Sequence, residues 1–337
     1  MKHYIGIDLH SNNHFISVID DNDNRIIDKR LSNDLSLTLK LLSPYKKSIQ
    51  SIAVESTFNW YWLVDGLIKT GYDVKLVNTI AVQQYSGLKH TDDKSDAFWL
   101  AHLLRLGILP TGHIYPPKER AIRDLLRKRL QLVEDRTRHI LRVKSQMMRS
   151  CAIKVSTQDI KRSTFSASDY IQDHNILRAI TADKVCIDLL NEEIDSIEQR
   201  VLSQCRLKKR FKLLTGTPGI GPILAVTIML ETGDITRFPK VGNFASYCRC
   251  VSAARFSNGK KKAANNRKNG NQHLSRAFTE AAYYAARFYD KPKQFFQAKE
   301  KQVNRTLATK ALAHKLAKAC YYIMRDQVAF EHDKLFA

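Results

Sequence analysis

The chain has 337 residues, with 55 Lys or Arg against 33 Asp or Glu, so its formal net charge is +22. This length is enough for two or three domains with hydrophobic cores, and no apolar run approaches the roughly 20 residues of a membrane span, so no membrane-spanning helix is expected. Residues 1–100 hold 11 basic and 12 acidic residues, whereas residues 101–337 hold 44 and 21, an asymmetry that indicates a nucleic acid or another anionic partner.

The first 110 residues are predicted to contain five strands and three helices. Strands are predicted at residues 4–9, 15–19, 25–31, 51–55 and 73–77, and helices at residues 35–42, 60–68 and 94–106. Residues 20–24 contain only Asp and Asn and are predicted to form a hairpin turn. The segment could be mistaken for a calcium loop, but it lacks the glycine and the distal glutamate of such loops. A three-stranded meander followed by helix–strand–helix–strand–helix is typical of the α/β RNase H-like fold. That fold carries nucleases, integrases and ATPases, so it does not determine the chemistry.

Four carboxylates lie where these elements end or begin. Asp8 and Glu55 end apolar strands, where an unpaired charge is costly, and Asp93 and Asp96 lie three residues apart at the start of a helix. Carboxylates at strand ends and on a nearby helix can converge on one point, where their repulsion calls for a cation. Mg²⁺, with Mn²⁺ as the alternative, takes oxygen ligands of this kind. Asp92 is the alternative to Asp93, which we favour because it shares one helical face with Asp96.

The middle of the chain is predicted to contain two long helices. Prolines at 110, 116 and 117 mark a boundary, and a basic helix follows over residues 119–149. Residues 150–175 are polar and expected to be irregular, before a second helix over residues 176–203. The second helix has a heptad seam of Ile180, Ile187, Leu190, Ile194, Ile197 and Val201. Two interpretations stay open and do not exclude each other: antiparallel helices packed within one chain, and a coiled coil between two chains.

The last part of the chain begins near residue 208 with a glycine-rich turn between two apolar helices. Gly219 and Gly221 would let the backbone approach a phosphate, and the N-terminus of the next helix would offer free N–H groups. This resembles a helix-hairpin-helix element, whereas the alternative is an ordinary tight turn between helices. Further helices are predicted at residues 274–289 and 306–324.

A basic segment without acidic residues follows this turn. Its seven cations are Arg255, Lys260, Lys261, Lys262, Arg267, Lys268 and Arg276. Residues 256–262 are expected to form a polar, flexible loop in which Ser257 lies beside several cations. A serine that attacks a phosphodiester needs such positive charge to stabilise the developing oxyanions. The alternatives are a loop that contacts DNA without specificity, and Ser252 in place of Ser257.

Cysteine usage and the N-terminus bear on the compartment. The six cysteines have neither a CxxC pair nor zinc-like spacing with histidine. For the pair Cys248 and Cys250 we expect buried thiols rather than a metal site, and the thiols indicate a reducing compartment. The chain enters its first strand at residue 4, which leaves no room for a signal peptide. A cytosolic protein is expected.

Five motifs in order resemble the DEDD transposases of bacterial insertion sequences. They occupy residues 4–8, 54–57, 91–97, 217–221 and 257–271. Each motif alone is weak, but all five in order are strong evidence, and the resemblance covers nearly the whole chain. The resemblance implies a RuvC-like metal-binding domain (1–110), a helical coiled-coil dimerisation segment (111–207), and a mainly α-helical C-terminal transposase domain with a nucleophilic serine (208–337).

The resemblance also implies roles for individual residues. Asp8, Glu55, Asp93 and Asp96 match the metal-binding tetrad of the family, and Ser257 matches the serine that forms a covalent phosphoserine link to DNA. Contacts with nucleic acid are expected from Gly219, Gly221, Arg255, Lys260, Lys261, Lys262, Arg267 and Lys268.

The partners that the resemblance implies are donor and target DNA, a structured bridge RNA that pairs with both, and further copies of the chain. Dimers and then tetramers would form composite sites, in which the acidic centre of one subunit meets the serine domain of another. The prediction is therefore a DNA transposase or recombinase of the bacterial cytoplasm, associated with the nucleoid. The alternatives are a metal-dependent junction nuclease that uses water as nucleophile, and a non-catalytic nucleic-acid-binding protein.

Overall fold

The computed structural model describes residues 1–82, 92–251, 254–258, 260–264, 269–331 and 335, with the backbone alone for residues 254–257 and 260–264. The chain divides into two compact units, Met1–Pro117 and Lys118–Ala337. Among the described residues, no helix is both long and apolar enough to cross a membrane.

A five-stranded mixed sheet organises the first unit. Its strands are β1 (His3–Leu9), β2 (Asn13–Ile19), β3 (Arg25–Ser32), β4 (Ile49–Glu55) and β5 (Val74–Val77), and its helices are α1 (Leu35–Leu42), α2 (Tyr61–Lys69), α3 (Thr79–Val82) and α4 (Asp93–Arg105). The strand order is β3-β2-β1-β4-β5; β2 is antiparallel to both β1 and β3, whereas β4 is parallel to both β1 and β5. The predicted strands and helices of this unit are all observed, with ends that differ by a few residues.

The pleat of β1 assigns alternate residues to opposite faces of the sheet. Ile7 belongs to a buried cluster with Leu63 and other apolar residues of α1 and α2 on one face. Helix α4 covers the other face so closely that a Cβ at Gly6 would lie 1.9 Å from the carbonyl oxygen of Ala97. Because residues 6 and 8 share a face, Asp8 lies on the side of the sheet that α4 covers.

Two long helices begin the second unit. They are α5 (Pro117–Cys151) and α7 (His174–Cys205), with the short α6 (Thr157–Lys161) in the segment that was expected to be irregular. Three side-chain pairs join them, namely Arg129 with Glu198, Arg136 with Asn191, and His139 with Asp183. Residue numbers rise along one helix as they fall along the other, so the two helices are antiparallel.

The heptad seam of α7 is used within the chain. Ile180 and Ile187 belong to a buried cluster with Val143 and Met147 of α5. The structure therefore shows the first of the two arrangements left open by the sequence, and a coiled coil between two chains stays a prediction.

Smaller helices complete the second unit. They are α8 (Lys209–Thr215), α9 (Pro222–Thr232), α10 (Val241–Tyr247), α11 (Gln272–Phe288), α12 (Asp290–Gln302) and α13 (Arg305–Asp326). Helices α11 and α13 contribute many residues to the core of this unit, in which Phe244, Phe278 and Tyr321 are almost fully buried. The six cysteines are free thiols, and Cys205, Cys248 and Cys320 are buried. Helices α10 and α12 were not predicted, because their short apolar runs carry little periodicity.

The segment around Ser257 is a β-hairpin, so the expectation of a flexible loop was wrong for its described part. Strands β6 (Ala254–Ser257) and β7 (Lys260–Ala264) pair antiparallel. Asn258 between them has a φ of 51°, a left-handed conformation that asparagine tolerates and that two-residue hairpin turns require. The run of lysines concealed the strand pattern, because charged side chains do not alternate visibly with apolar ones.

Candidate functional site

The acidic site of the first unit forms where β1 ends and α4 begins. Asp8 is near the end of β1, His10 follows that strand, and Asp93 is the first residue of α4. Nε2 of His10 lies 3.3 Å from a carboxylate oxygen of Asp8 and 3.3 Å from one of Asp93. Within the described residues this is the only group of three or more potential metal ligands whose ligating atoms all lie within 4.8 Å of one another.

The environment of this group is partly buried and electrostatically mixed. The side chain of Asp8 is 4% exposed, whereas those of Asp93 and His10 are 37% and 41% exposed. Arg30 of β3 donates a hydrogen bond of 2.6 Å to the second carboxylate oxygen of Asp93. Among the described atoms, Nε2 of His10 is buried without a well-oriented hydrogen bond. Two carboxylates and an imidazole nitrogen directed at one point are a suitable donor set for a divalent cation.

Asp92 and Asp93 have different surroundings despite being adjacent. Asp92 is the N-cap of α4, and its carboxylate accepts a 2.6 Å hydrogen bond from the backbone N–H of Ser95. Hydrogen bonds from the Ser95 side chain and backbone hold the pKa of Asp92 below its ordinary value. Asp93 is the aspartate that faces Asp8.

Glu55 and Asp96 lie on the same side of the sheet but outside this group. Glu55 ends β4, and the pleat places it on the face of Ala53, which packs in a buried cluster with Leu100 of α4. Asp96 lies one helical turn before Leu100 and is half-buried. The structure thus brings Asp8 and Asp93 together with His10, and holds the other two predicted carboxylates at the same face.

His10 was not predicted from the sequence. The signal that could have identified it is its two-residue spacing from Asp8, since residues i and i+2 of an extended chain lie on one side.

The second predicted site lies in the hairpin of the second unit. Ser257 is the last residue of β6 and pairs with Lys260 of β7, while Arg255 pairs with Ala263. Lys261 and Lys262 follow in β7. Arg267, Lys268 and the alternative nucleophile Ser252 lie outside the described residues.

The glycine-rich turn between α8 and α9 is shaped by helix packing. Gly219 has a φ of 79°, and a Cβ there would lie 2.1 Å from the carbonyl oxygen of Ala281 in α11. This close approach explains Gly219 as part of a tight turn between helices, and phosphate contact at Gly219 stays a prediction. Gly221, the N-cap of α9, has open space where a side chain would be.

Comparisons with known proteins cover both predicted sites. Residues 5–151 match the DEDD transposases of the IS110 type, and residues 211–297 match the transposases of the IS116/IS110/IS902 family. The first segment contains the Asp8 group, the second contains the Ser257 hairpin, and together they span more than half of the chain. A pilin gene-inverting protein of Moraxella bovis is 28% identical over 261 residues, which are 73% of this chain and 71% of that protein.

Proposed function

Because this chain belongs to the IS110 family of transposases, we propose that it cuts and rejoins DNA with Ser257 as nucleophile and with an acidic metal centre around Asp8. The observation that carries the proposal is the convergence of Asp8, His10 and Asp93 at the end of β1. The strand order β3-β2-β1-β4-β5, with an antiparallel meander and two parallel additions, supports a RuvC-like, RNase H-like fold for the first unit.

The acidic centre is proposed to hold Mg²⁺ or Mn²⁺. Asp8, Asp93 and His10 would supply ligand atoms, and Glu55 and Asp96 would complete or neutralise the site from the same face of the sheet. When bound, the cation would polarise the scissile phosphate and lower the cost of deprotonating a nucleophile. An imidazole ligand favours transition metals over Mg²⁺, so His10 supports Mn²⁺ as an effective replacement.

Ser257 is proposed to act by covalent catalysis. Its hydroxyl oxygen would form a bond to the phosphorus atom while the bond from phosphorus to one sugar oxygen breaks, and the serine proton would pass to that leaving oxygen. The reverse step, with a sugar hydroxyl from another DNA end as nucleophile, would release Ser257 and join the strands. Lys260, Lys261 and Lys262 in the adjoining strand would supply positive charge to the phosphate.

The remaining partners are proposed on the family resemblance and on charge. The net charge of +22 is suited to donor DNA, target DNA and a bridge RNA, with Arg255, Arg267, Lys268 and Gly221 as further contacts. The family resemblance supports dimers and tetramers, a cytoplasmic location with nucleoid association, and the domain limits 1–110, 111–207 and 208–337.

Trapping of the covalent link tests the serine mechanism. With a nicked substrate that cannot be religated, the native chain should accumulate a protein–DNA adduct that survives denaturing gel electrophoresis. Ser257→Ala should abolish this adduct and leave DNA affinity within about twofold. Ser252→Ala is the matched control and should form the adduct normally. An adduct that persists in Ser257→Ala would disprove the assignment, and cleavage to free ends without any adduct would favour the water-using nuclease.

Composite sites built from two subunits predict complementation. Asp8→Ala and Ser257→Ala chains should each be inactive, but their mixture should regain part of the strand-exchange activity. Two inactive variants that stay inactive when mixed and co-assembled would argue against sites shared between subunits.

DNA inversion is a second candidate, supported by the similarity to the pilin gene-inverting protein. A plasmid that carries the recognised sites in inverted orientation distinguishes the two: inversion would flip the intervening segment, whereas transposition would excise or relocate it.

A further inference from the structure

A buried carboxylate occupies the interior of the second unit, whereas the acidic centre already described belongs to the first unit. Glu231 of α9 is 1% exposed. Arg127 of α5 donates two hydrogen bonds to it, of 2.6 Å from Nε and 2.7 Å from Nη2. The amide nitrogen of Asn271 donates a third, of 2.7 Å. A buried charge is tolerated only when it is paired in this way.

Asn271 connects this carboxylate to two other parts of the chain. Its side-chain oxygen caps α11 by accepting hydrogen bonds of 2.8 Å and 3.0 Å from the N–H groups of His273 and Leu274. Its own backbone N–H donates a 2.6 Å hydrogen bond to the carbonyl oxygen of Tyr247 at the end of α10. The Asn271 side chain is therefore held in one orientation from both ends of its amide.

These contacts close the base of the segment that carries Ser257. The chain leaves α10 at Tyr247, forms the hairpin of β6 and β7, and returns to Asn271. Arg249 adds hydrogen bonds to the carbonyl oxygens of Asn269 and Gly270, of 2.8 Å and 3.1 Å. Residues 247–249, where the segment begins, are thus hydrogen-bonded to residues 269–271, where it ends, and Glu231 links Asn271 to α9 and α5.

We propose that Glu231 and Asn271 are positioning residues for Ser257: their buried hydrogen bond, oriented by Arg127, sets where the base of the hairpin lies and so where the serine is presented to DNA. This inference rests on the proposed role of Ser257. Burying a carboxylate has a desolvation cost, and well-packed apolar residues at the same place often stabilise a contact between helices equally well. What the ionic and amide groups add is direction, because hydrogen bonds fix the orientation of Asn271 where apolar contacts would not.

A reciprocal exchange of the two side chains tests the hydrogen bond itself. Asn271→Asp places two carboxylates against each other while an aspartate still caps α11. Glu231→Gln together with Asn271→Asp restores a donor opposite an acceptor and preserves the net charge. Glu231→Gln alone and Glu280→Gln, at an exposed position of α11, are the controls.

Two measurements on the full-length chain give the readouts. The first is the rate of adduct formation at saturating DNA, together with DNA affinity. We expect Asn271→Asp to slow the rate by about 10- to 100-fold at unchanged affinity, as small misplacements of reacting groups do. The double variant should return to within about twofold of Glu231→Gln. The second is hydrogen exchange of the backbone N–H groups of the hairpin and of Asn271, which should be faster in Asn271→Asp and restored in the double variant.

Each outcome decides the proposal. Normal exchange and a normal adduct rate in Asn271→Asp would overturn it, as would a double variant no faster than Asn271→Asp. Faster exchange with an unchanged adduct rate would contradict a positioning role and would show that the contact only stabilises the structure. If Ser257→Ala still forms the adduct, the proposed function fails instead, and the exchange data still show whether Glu231 and Asn271 hold the hairpin.

Discussion

The adjacent aspartates at the start of α4 show that residue type alone does not tell which residue caps the helix and which faces the acidic centre. Asp92 and Asp93 have the same chemistry and neighbouring positions, yet Asp92 accepts the capping hydrogen bond from Ser95 while Asp93 faces Asp8 and His10. The ligand role of Asp93 stays a prediction, and the two aspartates offer a matched pair for testing it.

Asp93→Asn should weaken Mn²⁺ binding and lower DNA cleavage by roughly 100-fold, because one carboxylate ligand is lost. Asp92→Ser retains a side chain that caps the helix, and its cleavage rate should stay within about twofold of the native rate. Calorimetric titration with Mn²⁺ and a cleavage assay measure the two effects. A reversed order, with Asp92→Ser the more damaging, would assign the ligand to Asp92.

The acid stability of the second unit should depend on Glu231. Burial by itself would raise the pKa of Glu231, but hydrogen bonds from Arg127 and Asn271 outweigh it and hold the pKa below the ordinary value of 4.5. The ionised group therefore stabilises the fold fully above pH 4.5, and this contribution is lost as pH falls through the lowered pKa of the folded state. Urea unfolding from pH 7 to pH 3 should show a shallower acid decline for Glu231→Gln than for Glu280→Gln. Equal declines would mean that other groups cause the acid sensitivity.

At the scale of elements, the pair of α5 and α7 shows what a heptad seam specifies. A heptad seam is buried when another helix packs apolar residues against it, and α5 of the same chain packs against α7 in this way. The paired polar side chains along the two helices, such as Arg136 with Asn191, keep the register. Exposed apolar residues such as Leu141 and Leu189, which are both 58% exposed, lie outside the seam.

Truncation of a seam residue should cost far more than truncation of an exposed neighbour. Ile187 is fully buried, so Ile187→Ala should lower the free energy of unfolding by about 2–5 kcal/mol. Leu189→Ala, on the same helix, should change it by less than about 0.5 kcal/mol. Chemical denaturation measures both. If Leu189→Ala instead shifts the monomer–dimer equilibrium in sedimentation, the exposed face of α7 contacts a second chain.

At the scale of the whole molecule, charge and chemistry are divided between parts of the chain. The acidic centre lies in a region of nearly balanced charge, while the excess of Lys and Arg lies beyond residue 100. A concentrated set of carboxylates would repel DNA unless cations compensate it, and a basic remainder supplies the long-range attraction.

Removal of the hairpin lysines should reduce the salt dependence of DNA binding. Each lysine that contacts a phosphate contributes about 0.9 to the slope of log K against log salt. Changing Lys260, Lys261 and Lys262 to Gln should therefore lower that slope by about 2 to 3, measured by fluorescence anisotropy over a salt series. The control changes Lys291, Lys293 and Lys301 of α12 to Gln, with the same loss of charge. Equal reductions in both would indicate a general effect of net charge.

The sequence by itself determined the strands and helices of the first unit, the acidic residues at their ends, and the basic bias of the rest. These features could be predicted because they depend on periodicity and residue type within short stretches of the sequence. Only the tertiary structure decided that His10 joins Asp8 and Asp93, that the α7 seam packs on α5, and that Gly219 makes room for α11. It also showed that Ser257 ends one strand of a β-hairpin, and that Asn271, where the chain returns after this hairpin, is hydrogen-bonded to Tyr247 and Glu231. Each of these features depends on contacts between residues far apart in the chain, and a local sequence pattern does not predict such contacts.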